Sequence, residues 1–300
     1  MYDILIVGGG IAGLTAAVYA RRAGRTALVL EAMGLGGQIA ASPLVENYPG
    51  VASISGSDLS DALAGQAKAL GAEVKYGQVT GAEKTAGGFR LTAGKKEYEG
   101  RALILCTGAK HRKLGVERED EYVGHGVSYC ATCDGAFFRG KAVAVVGGGD
   151  SALQSALFLS QLCASVTLIH RREEFRAQKA YVDAAQAREN IRFLLDAQVV
   201  ALQGKDRLSS VTVRQKGGQR ELMVEGLFIE VGQSPDNGAF AALAELDGAG
   251  YFAAGEDCRT KTPGVFAAGD CRAKTLRQLT TAAADGSVAA TAACHWLDGQ

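Results

Sequence analysis

Short apolar runs that end in glycine clusters dominate the start of the chain. Residues 4–7 form one such run, which leads into the motif GGGIAG at residues 8–13 and then into a helical pattern. A second apolar run, residues 26–30, ends at Glu31. This order predicts a dinucleotide-binding βαβ unit, in which glycines let backbone N–H groups approach a pyrophosphate at the helix N-terminus. Glu31 would accept hydrogen bonds from an adenosine ribose.

The same pattern recurs in the second half of the chain. Apolar residues 142–146 precede the motif GGGDSA at residues 147–152, and a helical pattern and the apolar run 166–169 follow. His170 takes the position that Glu31 holds in the first copy, and two arginines follow it. A carboxylate favours a free ribose 2′-hydroxyl, whereas guanidinium groups bind a 2′-phosphate. The first copy therefore suits FAD and the second suits NADPH.

The basic segment also has a simpler interpretation. A histidine at the end of a strand is usually part of the packed structure. Its arginine neighbours could be a solvated charge run that Glu173 and Glu174 balance. Both interpretations stay open at the level of the sequence.

Further strand patterns in each half predict the fold class. Alternating segments at 88–93 and 211–215 precede apolar runs, and we expect them to add a meander to each parallel sheet. An apolar run at 264–268 predicts a last buried strand, which is easier to assign to the first sheet. The sequence thus predicts an α/β fold of two Rossmann-like, three-layer ββα dinucleotide-binding domains, with the second inserted into the first. The predicted bounds are 1–113 and 240–300 for the FAD-binding domain, and 114–239 for the NADPH-binding domain.

Composition and charge argue against several classes of partner. The chain has 300 residues, 47% of them hydrophobic and 21% charged, which is typical of about two folded domains. Lysine plus arginine and aspartate plus glutamate number 32 each, so no excess positive charge favours a nucleic acid as partner. No apolar stretch reaches the ~18 residues of a membrane span, and the apolar start lacks the basic region of a signal peptide. We therefore expect a soluble cytoplasmic protein with no membrane or nucleic-acid partner.

Two of the seven cysteines stand close together, as Cys130-x-x-Cys133, and Asp134 follows them. A zinc site would need two further ligands at suitable spacing, and the nearby histidines are isolated, so we expect no metal. Two cysteines three residues apart can close a disulfide, and a dithiol beside two dinucleotide folds indicates a redox relay. Asp134 could move a proton for a thiolate, cap a helix or simply be solvated. A second redox pair, Cys258 with Cys271, stays open, whereas Cys106 and Cys163 are expected in the core.

The order of the motifs GGGIAG, GGQ, ENYPG, CATCDG, GGGDSA, HRREEFR and VFAAGD closely resembles low-molecular-weight thioredoxin reductases. This resemblance implies an FAD domain built from both ends of the chain, an inserted NADPH domain that carries a redox-active disulfide, a homodimer, and thioredoxin as substrate. It also implies that Cys133 faces the flavin, that Cys130 attacks the thioredoxin disulfide and that Asp134 is the general acid.

The resemblance assigns two sets of cofactor-binding residues. The FAD set is Gly8, Gly10, Ile11, Ala12, Gly13, Glu31, Gly36, Gly37, Gln38, Asn47, Gly269, Asp270, Arg277, Gln278 and Leu279. The NADPH set is Gly147, Gly149, Asp150, Ser151, Ala152, His170, Arg171, Arg172 and Arg176.

One position departs from the pattern of that family. The second glycine motif commonly continues to a glutamate, and Gln154 stands there instead, which removes a charge near the nicotinamide side of the helix. NADPH is still the expected donor because Ser151 and the basic cluster are retained. The alternatives are a ferredoxin-fed thioredoxin reductase, a small-molecule dithiol oxidase, and a flavoprotein redox sensor without turnover.

Overall fold

The computed structural model of the chain describes residues 1–42 and 44–300. Its strands are β1 (Tyr2–Val7), β2 (Ala27–Glu31), β3 (Glu73–Tyr76), β4 (Val79–Thr85), β5 (Gly88–Ala93), β6 (Lys96–Leu105), β7 (Lys110–His111), β8 (Val127–Ser128), β9 (Ala142–Gly147), β10 (Ser165–Ile169), β11 (Ile191–Leu194), β12 (Gln198–Gly204), β13 (Leu208–Gln215), β14 (Gly218–Met223), β15 (Gly226–Glu230), β16 (Gln233–Ser234) and β17 (Val265–Ala267). Its α-helices are α1 (Ile11–Arg22), α2 (Gly56–Ala69), α3 (Ala131–Asp134), α4 (Asp150–Ser160), α5 (Lys179–Gln186) and α6 (Leu279–Asp298), and 3-10 helices cover Gly37–Ala41, Gly135–Phe138 and Gly238–Phe240.

The chain folds into two compact units, and the second is inserted into the first. Unit 1 comprises Met1–Lys110 and Ser234–Gln300, and unit 2 comprises His111–Gln233. The bounds expected from the sequence, 113/114 and 239/240, lie a few residues further along the chain. Each unit has a parallel sheet with a Rossmann-like βαβ start, which confirms the predicted fold class.

Unit 1 is built on a sheet of strand order β3-β2-β1-β6-β5-β4, with β17 paired to β6. Strand β6 is long enough to serve two pairings: its first half pairs antiparallel with β5, and its second half pairs parallel with β1 and β17. Residues of α1 and α6 share a buried cluster with one face of β1. The chain ends thus meet in one core, because the apolar run of β17 belongs to the sheet that β1 begins.

Unit 2 has a parallel sheet of order β11-β10-β9-β15-β8 and a separate antiparallel sheet of order β12-β13-β14. Along β9, Val143 and Val145 face the helices, whereas Ala144 and Val146 face the second sheet, so the unit has three layers. The prediction that the meander joins the parallel sheet holds in unit 1 and is wrong in unit 2. The reason is a break at residues 224–225, between β14 and β15, where unit 1 has the continuous strand β6.

Within residues 1–42 and 44–300, no helix combines the length and apolar character that crossing a membrane requires.

A buried ionic cluster joins α6 to the loop after β17. The Arg272 side chain is 1% exposed, and its Nε donates to Asp285 Oδ2 at 2.8 Å. Lys274 Nζ and the Gly269 N–H donate to the same oxygen, at 2.8 and 2.9 Å. Burial alone would raise the pKa of Asp285, but these hydrogen bonds outweigh burial and lower it. The carboxylate therefore compensates two buried cations and fixes the loop at Gly269.

We expect Asp285→Asn to destabilise unit 1 by about 3 kcal/mol at neutral pH, because it leaves Arg272 and Lys274 buried without their counter-charge. Denaturant unfolding at several pH values measures this. Since folding lowers the pKa of Asp285, its contribution is present above the ordinary carboxyl pKa and is lost as pH falls through the lowered value, so the variant and the parent should converge in acid. Glu256→Gln is the matched control: its carboxylate also contacts Arg272 but is 91% exposed, and its loss should cost under about 0.5 kcal/mol.

Candidate active site

The first glycine turn brings the backbone of three elements into direct contact. Gly8 has φ +104°, and a Cβ there would overlap the carbonyl oxygen of Cys106 at the end of β6. A Cβ on Gly13 would overlap the Gly8 carbonyl. Gly10 is the N-cap of α1 and makes no side-chain cap, so the first turn of the helix, which holds Ile11 and Ala12, presents its backbone N–H groups to a ligand.

Glu31 closes over this turn. Its Oε2 accepts from the Gly9 N–H at 2.6 Å and its Oε1 accepts from the Met33 N–H at 2.9 Å. The Gly36 N–H donates to the Gly9 carbonyl at 2.8 Å, which brings Gly36 and Gly37 beside the turn. The carboxylate is thereby fixed beside the turn, and its remaining lone pairs can accept from a ligand hydroxyl.

Residues from the C-terminal segment of unit 1 complete this site. A Cβ on Gly269 would lie 2.9 Å from the Ala12 side chain, so Asp270 follows directly beside α1. Asp270 Oδ1 is buried and has no hydrogen-bond partner within the described residues, and burial raises the pKa of this carboxyl. A buried acceptor without a partner is expected where a ligand hydroxyl binds. The site therefore fits FAD.

Five further residues of the FAD set also lie in unit 1. Arg277 donates to the carbonyls of Asp270, Lys274 and Arg272 at 3.1–3.3 Å, and its guanidinium lies 4.2 Å from the centre of the Tyr251 ring. Asn47 Nδ2 donates to Gln278 Oε1 at 3.3 Å, and Leu279 begins α6. Gln38 Nε2 donates to the Ala109 carbonyl.

The second glycine turn repeats the first in unit 2. A Cβ on Gly147 would overlap the carbonyl oxygen of Glu230, at the end of β15, and would crowd the buried Ala152. Gly149 is the N-cap of α4, which begins with Asp150 and Ser151. Asp150 accepts from the backbone N–H and from Nε2 of Gln178, at 2.7 and 3.1 Å, so this carboxylate anchors the segment before α5.

The basic cluster after β10 divides into one buried and three exposed side chains. His170 is 5% exposed, packs on Gly148, and has Nε2 3.1 Å from the Glu174 carbonyl; burial lowers its pKa. A neutral, buried imidazole shapes the turn and is a poor partner for a phosphate. The exposed side chains are those of Arg171, Arg172 and Arg176.

The positive charges of these arginines are not neutralised by Glu173 and Glu174 in the way that the interpretation of a solvated charge run expected. In the described part of the chain, neither Glu173 nor Glu174 forms an ion pair with any of them, and Glu173 contacts Lys216 at 3.4 Å instead. The Arg176 N–H donates to the Gly148 carbonyl at 2.7 Å, and Arg171 and Arg172 directly follow His170, which packs on the same turn, so three exposed cationic residues are close to it in the chain. This arrangement fits a 2′-phosphate.

Cys130 and Cys133 form a disulfide at the start of α3, with their Cα atoms 5.3 Å apart. Cys133 is exposed and Cys130 is half-buried. Ser128 Oγ accepts from the Cys130 N–H at 3.0 Å and donates to Asp134 Oδ2 at 2.6 Å. Burial raises the pKa of Asp134, and the Ser128 hydrogen bond offsets part of that rise. A carboxyl that can stay protonated therefore lies one residue from the disulfide.

The other five cysteines are reduced and buried. Burial raises the pKa of Cys258 to about 12, and Cys271 Sγ donates to the carbonyls of Leu105 and Ala268 at 3.2–3.3 Å. The second redox pair that the sequence left open is therefore not formed, and Cys106 and Cys163 lie in the two cores as predicted. Within residues 1–42 and 44–300, no cluster of side chains could hold a metal ion.

Sequence reasoning missed several residues of these sites. Ser128 gives no motif signal, and its link to Asp134 depends on β8 lying beside α3. In the sequence, Glu230 is only the polar residue at the end of an apolar run. Its contact with the second glycine turn arises because β15 pairs with β9 in the sheet. Asp285 carried a weak signal, as a charged residue within a segment of small and apolar residues, whereas Arg272 lies in a polar segment and carried none.

Comparison with known proteins agrees with this geometry. The family model described as pyridine nucleotide-disulphide oxidoreductase matches residues 2–286. The chain is 44% identical over 300 residues to a thioredoxin reductase of Treponema pallidum, covering 99% of this chain and 97% of that relative. It is 44% identical over 301 residues to one of Listeria monocytogenes, covering 99% and 94%. The crystal structure of thioredoxin reductase from Streptococcus pyogenes matches with a TM-score of 0.95 at 40% identity, covering 100% of this chain and 99% of that one.

These full-length matches confirm the resemblance seen in the motifs. Two glycine turns that fit dinucleotides and a disulfide beside a half-buried acid are present in the described part of the chain. The chain belongs to the family of pyridine nucleotide-disulphide oxidoreductases.

Proposed function

We propose that this protein is an NADPH-dependent thioredoxin-disulfide reductase that uses FAD. The observation that carries the proposal is the Cys130–Cys133 disulfide, which stands beside Asp134 in a chain with two dinucleotide turns. The relatives of Treponema pallidum and Listeria monocytogenes, which bear the name thioredoxin reductase, support it. The proposal includes a homodimer and a cytoplasmic location, both of which rest on the resemblance to low-molecular-weight thioredoxin reductases.

The residues of unit 1 would hold FAD and those of unit 2 would hold NADPH. Glu31 would bind the adenosine ribose, the first turn of α1 the pyrophosphate, and Asp270 a hydroxyl of the flavin side chain. Arg171 and Arg172 would bind the 2′-phosphate. When bound, FAD accepts a hydride from NADPH and supplies two electrons to a disulfide.

The dithiol would then act by disulfide exchange. The Cys130 thiolate attacks one sulfur of the thioredoxin disulfide, so that one S–S bond breaks and a mixed disulfide forms. Asp134 delivers a proton to the thioredoxin thiolate that leaves. The Cys133 thiolate next attacks Cys130, which restores the Cys130–Cys133 disulfide and releases the second thioredoxin thiolate, which takes its proton from solvent. Burial suits Asp134 to this task because it favours the protonated form.

An anaerobic titration of the FAD-loaded protein separates this function from its alternatives. Stoichiometric bleaching of the flavin absorbance by NADPH, followed by turnover with thioredoxin, supports the proposal. Reduction by ferredoxin alone would favour the ferredoxin-fed reductase. Rapid turnover of a small dithiol with oxygen would favour the oxidase, and reduction without turnover of any disulfide would favour the sensor.

The roles of Cys130 and Cys133 can be distinguished by which of them forms a stable mixed disulfide with thioredoxin. Cys130→Ser and Cys133→Ser should each abolish thioredoxin reduction, because a single thiol cannot complete the exchange, while NADPH-dependent reduction of ferricyanide continues. A thioredoxin with one cysteine activated by thionitrobenzoate should form a stable mixed disulfide with Cys133→Ser and much less with Cys130→Ser. Non-reducing electrophoresis measures the adduct. The reverse pattern would exchange the two roles.

Asp134→Asn should lower kcat for thioredoxin about a hundredfold, since the amide cannot deliver a proton. The pH–rate profile supplies a sharper test. Activity that needs protonated Asp134 falls as pH rises through its pKa. Ser128→Ala removes the hydrogen bond that lowers this pKa, so the descending limb should move to higher pH. An unchanged limb in Ser128→Ala would argue that Asp134 is not the titrating acid.

Coenzyme preference should depend on the exposed arginines. The double variant Arg171→Ala/Arg172→Ala should lower kcat/KM for NADPH at least about tenfold, or about 1.4 kcal/mol, and leave kcat/KM for NADH nearly unchanged, because NADH lacks the 2′-phosphate. Steady-state kinetics with both coenzymes measure this, with the exposed Arg192→Ala as the control. An equal loss for both coenzymes would contradict the assignment.

A further inference from the structure

The parallel sheet of unit 2 reverses its winding direction between β9 and β15. The chain leaves β9 through α4 to reach β10 on one side, whereas β15 lies on the other side of β9. The carboxyl ends of β9 and β15 therefore border a crevice of the kind that binds ligands in doubly wound sheets. Side chains at these two strand ends are placed to contact a nucleotide.

Glu230 is the residue at the carboxyl end of β15. In the parallel register it stands opposite Gly147, the first glycine of the turn. The three residues before it, Leu227, Phe228 and Ile229, are fully or nearly fully buried, so the charged side chain ends an otherwise apolar strand. Its position corresponds to that of Cys106 in unit 1, where the carbonyl likewise faces the first glycine.

A hydrogen bond from α4 fixes the Glu230 carboxyl group. Ser155 Oγ, in the second turn of α4, donates to Oε1 at 2.6 Å. Within the described residues, Oε2 has no hydrogen-bond partner. Burial raises the pKa of this carboxyl to about 7, with the Ser155 hydrogen bond opposing the rise. One oxygen is thus held by the protein while the other can accept a hydrogen bond from a ligand.

The arginines define the direction in which a coenzyme would lie. Arg171 and Arg172 follow β10, on the opposite side of β9 from β15. With the 2′-phosphate at these arginines and the pyrophosphate at the N-terminus of α4, the nicotinamide extends across β9 towards β15. The nicotinamide carries a carboxamide, whose N–H groups need an acceptor when water is excluded.

We propose that Glu230, oriented by Ser155, binds the nicotinamide carboxamide and thereby positions the ring for hydride transfer. The inference rests on the proposed use of NADPH. It also accounts for Gln154: this chain lacks the helix carboxylate expected at that position and has a carboxylate on the adjacent strand instead. Glu230 is on this view a specificity-determining residue for the nicotinamide half of the coenzyme.

Equilibrium binding to the FAD-loaded protein tests the proposal with three ligands that differ at the nicotinamide. They are NADP⁺, its 3-acetylpyridine analogue, which has no amide N–H, and adenosine 2′,5′-bisphosphate, which has no nicotinamide. Glu230→Leu should raise Kd for NADP⁺ about tenfold and leave Kd for the bisphosphate unchanged. The parent should bind the analogue about tenfold more weakly than NADP⁺, and Glu230→Leu should no longer distinguish the two. Glu225→Leu, just before the start of β15, is the matched control.

The remaining outcomes distinguish a failure of the role of Glu230 from a failure of the proposed use of NADPH. If the parent binds NADP⁺ but Glu230→Leu binds it equally well, the role of Glu230 is overturned and the proposed function stands. If the parent binds neither NADP⁺ nor the bisphosphate, the proposed use of NADPH fails and this inference fails with it. Should leucine disturb the strand, Ser155→Ala decides: a two- to fivefold rise in Kd for NADP⁺ with an unchanged Kd for the bisphosphate supports the proposal, and unchanged values for both overturn it.

Discussion

The close approach of each glycine turn to the end of a neighbouring strand is the constraint on which both nucleotide sites depend. Gly8 lies against the carbonyl of Cys106, and Gly147 lies against the carbonyl of Glu230. Any side chain at either glycine would overlap backbone, which cannot move without shifting a central strand of the sheet. The helix that follows each turn therefore begins directly after it, with the free N–H groups of its first turn arranged as in helix N-termini that bind a pyrophosphate.

The two turns use the position after the second strand in different ways. In unit 1 the acidic Glu31 folds back over Gly9 and is held by backbone N–H groups. In unit 2 His170 folds back over Gly148 in the same manner but is buried, and the charge available to a ligand comes from the arginines after it. One scaffold thus presents a carboxylate in one copy and guanidinium groups in the other. A carboxylate suits a ribose hydroxyl and guanidinium groups suit a phosphate, which is the physical basis for proposing a different coenzyme in each unit.

The redox chemistry is confined to one pair of cysteines by burial. Cys258 and Cys271 are fully buried, and burial raises their thiol pKa values, so neither readily forms the thiolate that exchange requires. Cys130 and Cys133 lie instead at the start of a short helix, and Cys133 is exposed. Asp134 beside them has a raised pKa for the same physical reason, since burial disfavours its charge. Burial therefore keeps the Cys258 and Cys271 thiols protonated and unreactive, and it also favours the protonated form of Asp134.

The sequence by itself determined the two dinucleotide turns, the insertion of one domain in the other and the redox pair. The turns and the redox pair depend on residues that are close along the chain, such as alternating glycines after an apolar run, or two cysteines three residues apart, and the insertion follows from the order in which these segments occur. The break before β15, the buried role of His170 and the contacts of Ser128, Asp285 and Glu230 were decided only by the tertiary structure. The Glu230 and Asp285 contacts join residues 75 and 13 positions apart, and the Ser128 contacts, although only two to six residues apart, depend on how the chain turns between β8 and α3. The hydrophobic periodicity of a segment cannot predict these contacts, because they are fixed by the order of the strands in each sheet and by the packing of α4 and α6 against their sheets.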